Sequence, residues 1–277
     1  MTLNCKGHLV DLSTPRVMGI LNVTPDSFYD GGQYKNMDAI LEQVEHMLQA
    51  GATFIDVGAY SSRPKAEFVT ETEELARIVP VVSHLLKAFP EILLSIDTFR
   101  AKVAKACLEE GAAMINDISA GLLDTEMLPT IAAQQAPYVM MHMRGTPQTM
   151  QQQTDYRDLL PEILYYFSER IAAARTLGIK DLIVDPGFGF AKTLAQNYEI
   201  LGRLTLFHTF ELPLLVGVSR KSMIQKVLHT DAKEALNGTT ALHAVALNKG
   251  AQILRVHDVR EAVQCVKLWQ YMAQYND

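Results

Sequence analysis

Residues 54–58 read FIDVG and run on as AYSSRPKAEF at 59–68, a short apolar stretch that breaks into small residues, two serines and an arginine followed by proline. A run this apolar suits a strand covered on both faces, as in parallel sheets packed between helices. Its ending supplies two hydroxyls and a cation on a backbone stiffened by Pro64. Whether that ending is a turn or part of a site depends on how the other strands end.

Seven further runs share the character of FIDVG: VMGILN (17–22), LLSID (93–97), AMIND (113–117), YVMMHM (138–143), LIVDP (182–186), LLVGVS (214–219) and ILRVHD (253–258). Amphipathic helical patterns lie between them. Thr70 with Glu73, and Asp258 with Glu261, have the spacing of capping boxes. Gly51, Gly111, Gly178 and Gly250 each end a helical stretch where a left-handed residue is needed. Pro80 is expected to kink the second helix or divide it in two. The polar stretch QTMQQQTD (148–155) reads as a loop into the fifth helix. Strand and helix alternating eight times predict a closed (β/α)8 barrel of the TIM type, one α/β domain spanning 1–277. Residues 3–15 precede the first barrel strand and are expected to form a hairpin or lid at the barrel bottom.

Composition narrows the class of molecule. The 277 residues are 48% hydrophobic and 20% charged, ordinary for a globular protein with a sizeable core. No apolar stretch reaches membrane-spanning length, and MTLNCKGHLVDLS lacks the pattern of a secretion signal, so a cytoplasmic protein is expected. Cys5, Cys107 and Cys265 are scattered, without metal-ligand spacing, and are expected to be reduced. A formal charge of −6 argues against a nucleic-acid partner. An anionic ligand would have to be met by a local basic pocket.

In a (β/α)8 barrel the active site gathers at the C-terminal strand ends. Here those ends are polar: Asn22, Asp56 with Ser61, Ser62 and Arg63, Asp97, Asn116 and Asp117, His142, Asp185, then Ser219, Arg220 and Lys221, and Arg255 with His257. Singly, each has a bland reading, such as a helix cap at Asp97 or a satisfied core histidine at His142. Together they predict a pocket, because a core has no reason to place polar groups at one end of every strand. Asp97, Asn116 and Asp185 suit a neutral heterocycle rich in N–H donors, and Arg63, Lys221, Arg255 and His257 suit a phosphate or pyrophosphate. Asn22, in the turn-rich NVTPDSFYDGG, offers a neutral oxygen of the kind Mg²⁺ accepts beside substrate phosphate. DPGFGFAKT (185–193) lacks the spacing of a dinucleotide fingerprint or P-loop. In RVHD, strand alternation puts Arg255 and His257 on one side and Val256 on the other, so the two polar residues should face inward.

Read together, GILNVTPDSF, DVGAYSSRP, SIDTFR, INDISAG, MMHMRGTP, DPGFGFAKT, VGVSRKS and RVHDV resemble the dihydropteroate synthase family over nearly the whole chain. The resemblance implies a cytoplasmic, homodimeric transferase of folate biosynthesis and target of sulfonamides. It would join 6-hydroxymethyl-7,8-dihydropterin pyrophosphate to p-aminobenzoate with release of pyrophosphate. It assigns Asn22 to Mg²⁺ and pyrophosphate, and Asp97, Asn116, Asp185 and Lys221 to the pterin, whose slot is walled by Met140 and Phe190. Ser62, Arg63, Arg255 and His257 would bind pyrophosphate; Phe28, Arg63, Pro64, Ser219 and Lys221 would surround p-aminobenzoate. Asp97, Lys221 and Arg63 are the expected catalytic residues.

Two other readings share the barrel: a methyltransferase using a folate methyl donor, which would have no pyrophosphate for SRKS and RVHD to hold, and a silent pterin-binding paralogue. The chain departs from the family's GGESTRPG by carrying Ala59, Tyr60, Ser62 and Lys65. Loss of both glycines narrows the backbone freedom there, so altered loop closure is expected with the reaction unchanged.

Overall fold

All eight apolar runs form strands, and all eight pair in parallel, in a computed structural model that describes residues 1–23, 33–60 and 69–275. The elements are β1 (Thr2–Cys5), β2 (His8–Asp11), β3 (Arg16–Asn22), α1 (Gln33–Gln49), β4 (Phe54–Gly58), α2 (Glu71–Ala88), β5 (Leu94–Asp97), α3 (Ala101–Glu110), β6 (Met114–Asp117) and α4 (Met127–Gln134). Then follow β7 (Tyr138–Met141), α5 (Leu159–Thr176), β8 (Leu182–Asp185), α6 (Leu194–Gly202), β9 (Leu215–Val216), α7 (Ser222–Leu228), α8 (Leu236–Asn248), β10 (Ile253–Val256) and α9 (Val259–Ala273). Spatial order is β8-β7-β6-β5-β4-β3-β10-β9, and a parallel bridge between Val184 and Leu214 closes the ring. The fold is therefore a (β/α)8 barrel, as the alternation predicts.

Strand alternation divides the core. Val57, Ile96, Ile115, Val184 and Val216 point outward and pack with buried faces of the helices. Met18, Phe54, Met114, Val139, Ile183, Leu215 and Ile253 point inward and pack with Leu3, Cys5 and Leu12. The expected N-terminal hairpin is thus present, with β1 and β2 antiparallel, and it plugs the barrel bottom. Burying Leu3 and Leu12 in this plug contributes roughly 1.5–3 kcal/mol each over leaving them in water. With the lower lumen filled by apolar side chains, the upper lumen is where polar groups collect.

Local signals hold with three differences. The Thr70–Glu73 capping box forms, and Gly51, Gly111, Gly178 and Gly250 all adopt positive φ. Asp258 occupies the N-cap of α9 but makes no side-chain cap; Arg220 takes both its carboxylate oxygens, at 2.7 and 2.8 Å. A charge-assisted bidentate pair outcompetes a backbone amide for that carboxylate. Pro80 does not divide α2, which runs unbroken over 18 residues. Ile78, Val81, Val82 and Leu85 are buried on either side of the proline, so docking offsets the lost amide bond. The third difference is β9: only Leu215 and Val216 join the ladder, and the chain turns where the Lys221 amide donates to the Val218 carbonyl at 3.1 Å.

Candidate active site

Residues paired across a parallel ladder point to the same face, so register decides what enters the pocket. Asp97 pairs with Asn116, Met141 with Asp185, Asp56 with Ile20, and Arg255 with Met18. Given the inward Met18 and Val139, these pairings put Asp56, Asp97, Asn116, Met141, Asp185 and Arg255 in the upper lumen. Asn22 ends β3 on this same face, exposed at the mouth beside Gly58.

The floor is a buried charge network. Arg255 donates from Nε to Asp56 at 2.6 Å and from Nη2 to Asp97 at 2.8 Å, and the Asn116 amide donates to the same Asp56 oxygen at 3.0 Å. Asp56 is fully buried, whereas the Asp97 side chain keeps 20% of its surface open to the pocket. Burial pushes the Asp97 carboxyl up to about 7 although Arg255 opposes the shift. A Cβ on Gly58 would touch the Asp97 Cβ at 3.4 Å, so a glycine there leaves that carboxylate room. Asp56 appears in the sequence as one more polar strand end; its part as the second anchor of Arg255 emerges only from the geometry.

The opposite wall comes from the loops after β8 and β9. Asp185 is buried and accepts from the Gly187 amide at 2.7 Å through Oδ1; burial raises its pKa against the pull of Lys221. Lys221, the residue before α7, donates Nζ to the Phe188 carbonyl and lies 5.0 Å from the Phe190 ring centroid. Burial draws its ammonium down to about 8, with Asp185 opposing. Ser219 Oγ lies 3.1 Å from His257 Nδ1 and accepts the His257 backbone amide at 3.1 Å. His257 is exposed at the mouth. These contacts bring together Asp97, Asn116, Asp185, Phe190, Ser219, Lys221, Arg255 and His257 around one lumen. Phe28, Ser61, Ser62, Arg63, Pro64 and Lys65 lie outside the described residues.

Three expected members of the ring, Asp117, His142 and Arg220, and the expected slot wall Met140 face elsewhere. Met140 is fully buried in the core shared with the helices, and Met141, one residue on, packs in a cluster that includes Phe190. The methionine lining the slot is therefore Met141. Asp117 points outward too, accepting from Tyr138 Oη at 2.6 Å and from the Ser119 and Gly121 amides at 2.7 Å. His142 stacks edge-on against Tyr166, with ring centroids 4.8 Å apart, behind the sheet. Arg220 spends its guanidinium on Asp258 and the Ala232 and Lys233 carbonyls.

Tyr60 stands at the rim, its ring edge-on to Phe99 at 5.2 Å and its hydroxyl accepting from Gln148 Nε2 at 2.9 Å. The β4 loop is thereby tied to the segment after β7. Among the described residues no helix is long and apolar enough to cross a membrane.

Comparison with known proteins agrees with this arrangement. A family model described as pterin binding enzyme matches residues 18–257. Dihydropteroate synthase of Escherichia coli K12 is 45% identical over 270 residues, covering 97% of this chain and 95% of that protein. The Yersinia pestis dihydropteroate synthase solved as a sulfonamide drug complex superposes with a TM-score of 0.92 at 44% identity, covering 99% of this chain and 100% of the other. The Xanthomonas albilineans dihydropteroate synthase solved with 4-aminobenzoic acid gives a TM-score of 0.90 at 37% identity, with 98% of both chains covered. A barrel with a carboxylate-and-amide floor, Lys221 on the opposite wall and full-length relatives of one kind belongs to the pterin binding enzyme family, among its dihydropteroate synthases.

Proposed function

We propose that this transferase condenses 6-hydroxymethyl-7,8-dihydropterin pyrophosphate with p-aminobenzoate, forming 7,8-dihydropteroate and releasing pyrophosphate. The observation that carries the reading is the pocket's division: Asp97, Asn116 and Asp185 on one side, Lys221, Arg255 and His257 around it. A pterin edge presents paired N–H donors that carboxylates accept, and Met141 and Phe190 provide apolar walls for its ring. Arg255, expected at the pyrophosphate, is committed to Asp56 and Asp97 and orients those carboxylates; Ser219, Lys221 and His257, with Ser62 and Arg63, meet the anion and the amine. Phe28 and Pro64 complete the p-aminobenzoate site in this reading.

The reaction is a substitution at the pterin CH₂. The C–O bond to pyrophosphate breaks with its electron pair leaving on oxygen, the aromatic amine nitrogen forms the new C–N bond, and the amine proton passes to solvent. Positive charge growing on the pterin as the C–O bond lengthens is stabilised by the Asp97 carboxylate, and charge growing on the leaving group by the cations at the rim. No protein nucleophile takes part.

Asn22 fits a Mg²⁺ ligand: it is an exposed neutral amide on the lumen face, and the described residues contain no cluster of three metal-ligating side chains that would form a closed protein cage. Mg²⁺ characteristically takes few protein ligands and keeps water and phosphate oxygens. When bound there it would neutralise pyrophosphate charge.

A homodimer is part of the proposal. Leu268, Tyr271, Met272 and Tyr275 are exposed along and just past the end of α9, with Val245 on the adjacent α8, an apolar surface suited to a second copy. The three free, buried cysteines support a cytoplasmic, reducing compartment.

Mixing protein with Mg²⁺, the pterin pyrophosphate and p-aminobenzoate tests the reaction: pyrophosphate should appear only when both substrates are present. Pterin binding without release would mark a silent barrel.

A further inference from the structure

Lys192 has no place in the reaction above, yet it is 5% exposed and its ammonium is caged within the protein. Nζ lies 2.9 Å from His142 Nδ1, and donates to the carbonyls of Gly187 and Phe190 at 3.0 Å and of His142 at 3.3 Å. Burying an ammonium costs several kcal/mol unless it is fully bonded, so a cage of this kind holds its partners firmly in place. His142 is suited to accept, since burial and the Lys192 charge hold its imidazole neutral.

The partners belong to two strand ends. The His142 carbonyl follows β7, and the Gly187 and Phe190 carbonyls belong to the loop after β8. That loop runs through three positive-φ residues, Gly187, Gly189 and Ala191, and has no ladder of its own. Side chains hold it instead: Gln151 donates to the Gly189 carbonyl at 3.1 Å, Tyr156 to that of Ala191 at 2.9 Å, Lys221 to that of Phe188, and Asn197 accepts the Gly189 amide at 2.7 Å. Lys192 alone among these bonds the loop at two points and also joins it to β7. A Cβ on Gly187 would sit 2.2 Å from the His142 carbonyl, which shows how closely the two strand ends approach.

The same loop sets two walls of the pocket. Its Gly187 amide engages Asp185 Oδ1 at 2.7 Å, and the Phe190 ring centroid lies 5.0 Å from Lys221 Nζ. We propose that Lys192 is a positioning residue for the pterin half of the site, fixing Asp185 and Phe190 by clamping the β8 loop to the end of β7. This rests on the pterin reading given above.

Lys192→Met keeps the length of the side chain and removes its charge and donors. Two measurements follow. Hydrogen exchange of the 187–191 amides should rise at least ~10-fold while β3–β6 keep their protection, and KM for the pterin pyrophosphate should rise ~10-fold or more while KM for p-aminobenzoate stays within about twofold. A role in general stability would move neither ratio selectively. A folded variant with unchanged loop exchange and unchanged pterin KM overturns the proposal. Should Lys192→Met fail to fold, Lys192→Gln, neutral and shorter but still a donor, is held to the same criteria. If the parent enzyme binds no pterin pyrophosphate, the functional reading fails, and exchange alone decides the role of Lys192.

Discussion

Arg255 reaches Asp97 across the barrel floor at 2.8 Å, from a strand 158 residues away in sequence, and holds that carboxylate facing the pocket. Of the two carboxylates that Arg255 holds, Asp97 is the one open enough to meet a ligand, with 20% of its side-chain surface exposed against none for Asp56. Replacing Asp97 with alanine should leave the fold intact and lower kcat/KM for the pterin pyrophosphate at least ~100-fold, the scale of losing one preorganised electrostatic group. Lys221→Ala should lose a similar amount. Steady-state kinetics beside a circular dichroism spectrum checks both, and a folded variant with near-parental rates would refute the assignment.

Two of the pocket's perturbed groups, Asp97 and Lys221, set a pH profile. Asp97 is raised from 3.8 to about 7, so its active carboxylate fills as pH rises through 7. Lys221 is lowered from 10.5 to about 8, so its ammonium empties as pH rises through 8. The expected kcat/KM profile is a narrow bell with an acid limb near 7 and an alkaline limb near 8, measurable across the range in which the protein stays folded. A flat profile between pH 6 and 9 would contradict these assignments.

Asp56 is a structural counterpart of Asp97. Its side chain is fully buried against Arg255. Asp56→Ala strands half of the guanidinium's pairing inside the barrel and should cost about 3–5 kcal/mol in chemical denaturation. The loss should exceed that of Asp97→Ala, whose side chain is partly open to solvent.

Two glycines with similar backbones should differ sharply. Gly178 has φ +83 with open space around a Cβ, and Gly187 has φ +72 with the His142 carbonyl 2.2 Å away. Gly178→Ala should cost roughly 1–2 kcal/mol, the left-handed penalty alone. Gly187→Ala adds a backbone collision and should cost about 2–5 kcal/mol. Thermal melts of the two variants give the comparison.

At the rim, Tyr60 stands where the motif GGESTRPG implied by the family resemblance has its glutamate, and its hydroxyl accepts from Gln148 at 2.9 Å. The double reversion Tyr60→Glu with Lys65→Gly should change KM for p-aminobenzoate severalfold with the reaction unaltered. Identical kinetic constants in parent and reversion would remove any role for these departures.

Much of this architecture was legible in the order of residues. Eight apolar runs separated by helical patterns and glycine stops suffice for a barrel, because burial on both faces leaves a strand few alternatives. Inward placement of Arg255 followed from RVHD, where polar and apolar residues alternate visibly. YVMMHM contains no such alternation, since both faces of β7 are buried, and only the register with β8 shows that Met141 lines the lumen while Met140 and His142 face the helices. Asp258 had the spacing of a cap, but Arg220, distant in sequence, took its carboxylate.

Sequence by itself thus determined the barrel, the family and most residues of the pocket, because periodicity and local motifs act over a few residues. Tertiary structure alone decided which of two neighbouring methionines enters the slot, which carboxylates share Arg255, and that Lys192 is buried as a clamp. Those outcomes depend on register and on charges meeting across strands far apart in the chain, and no local pattern carries that information.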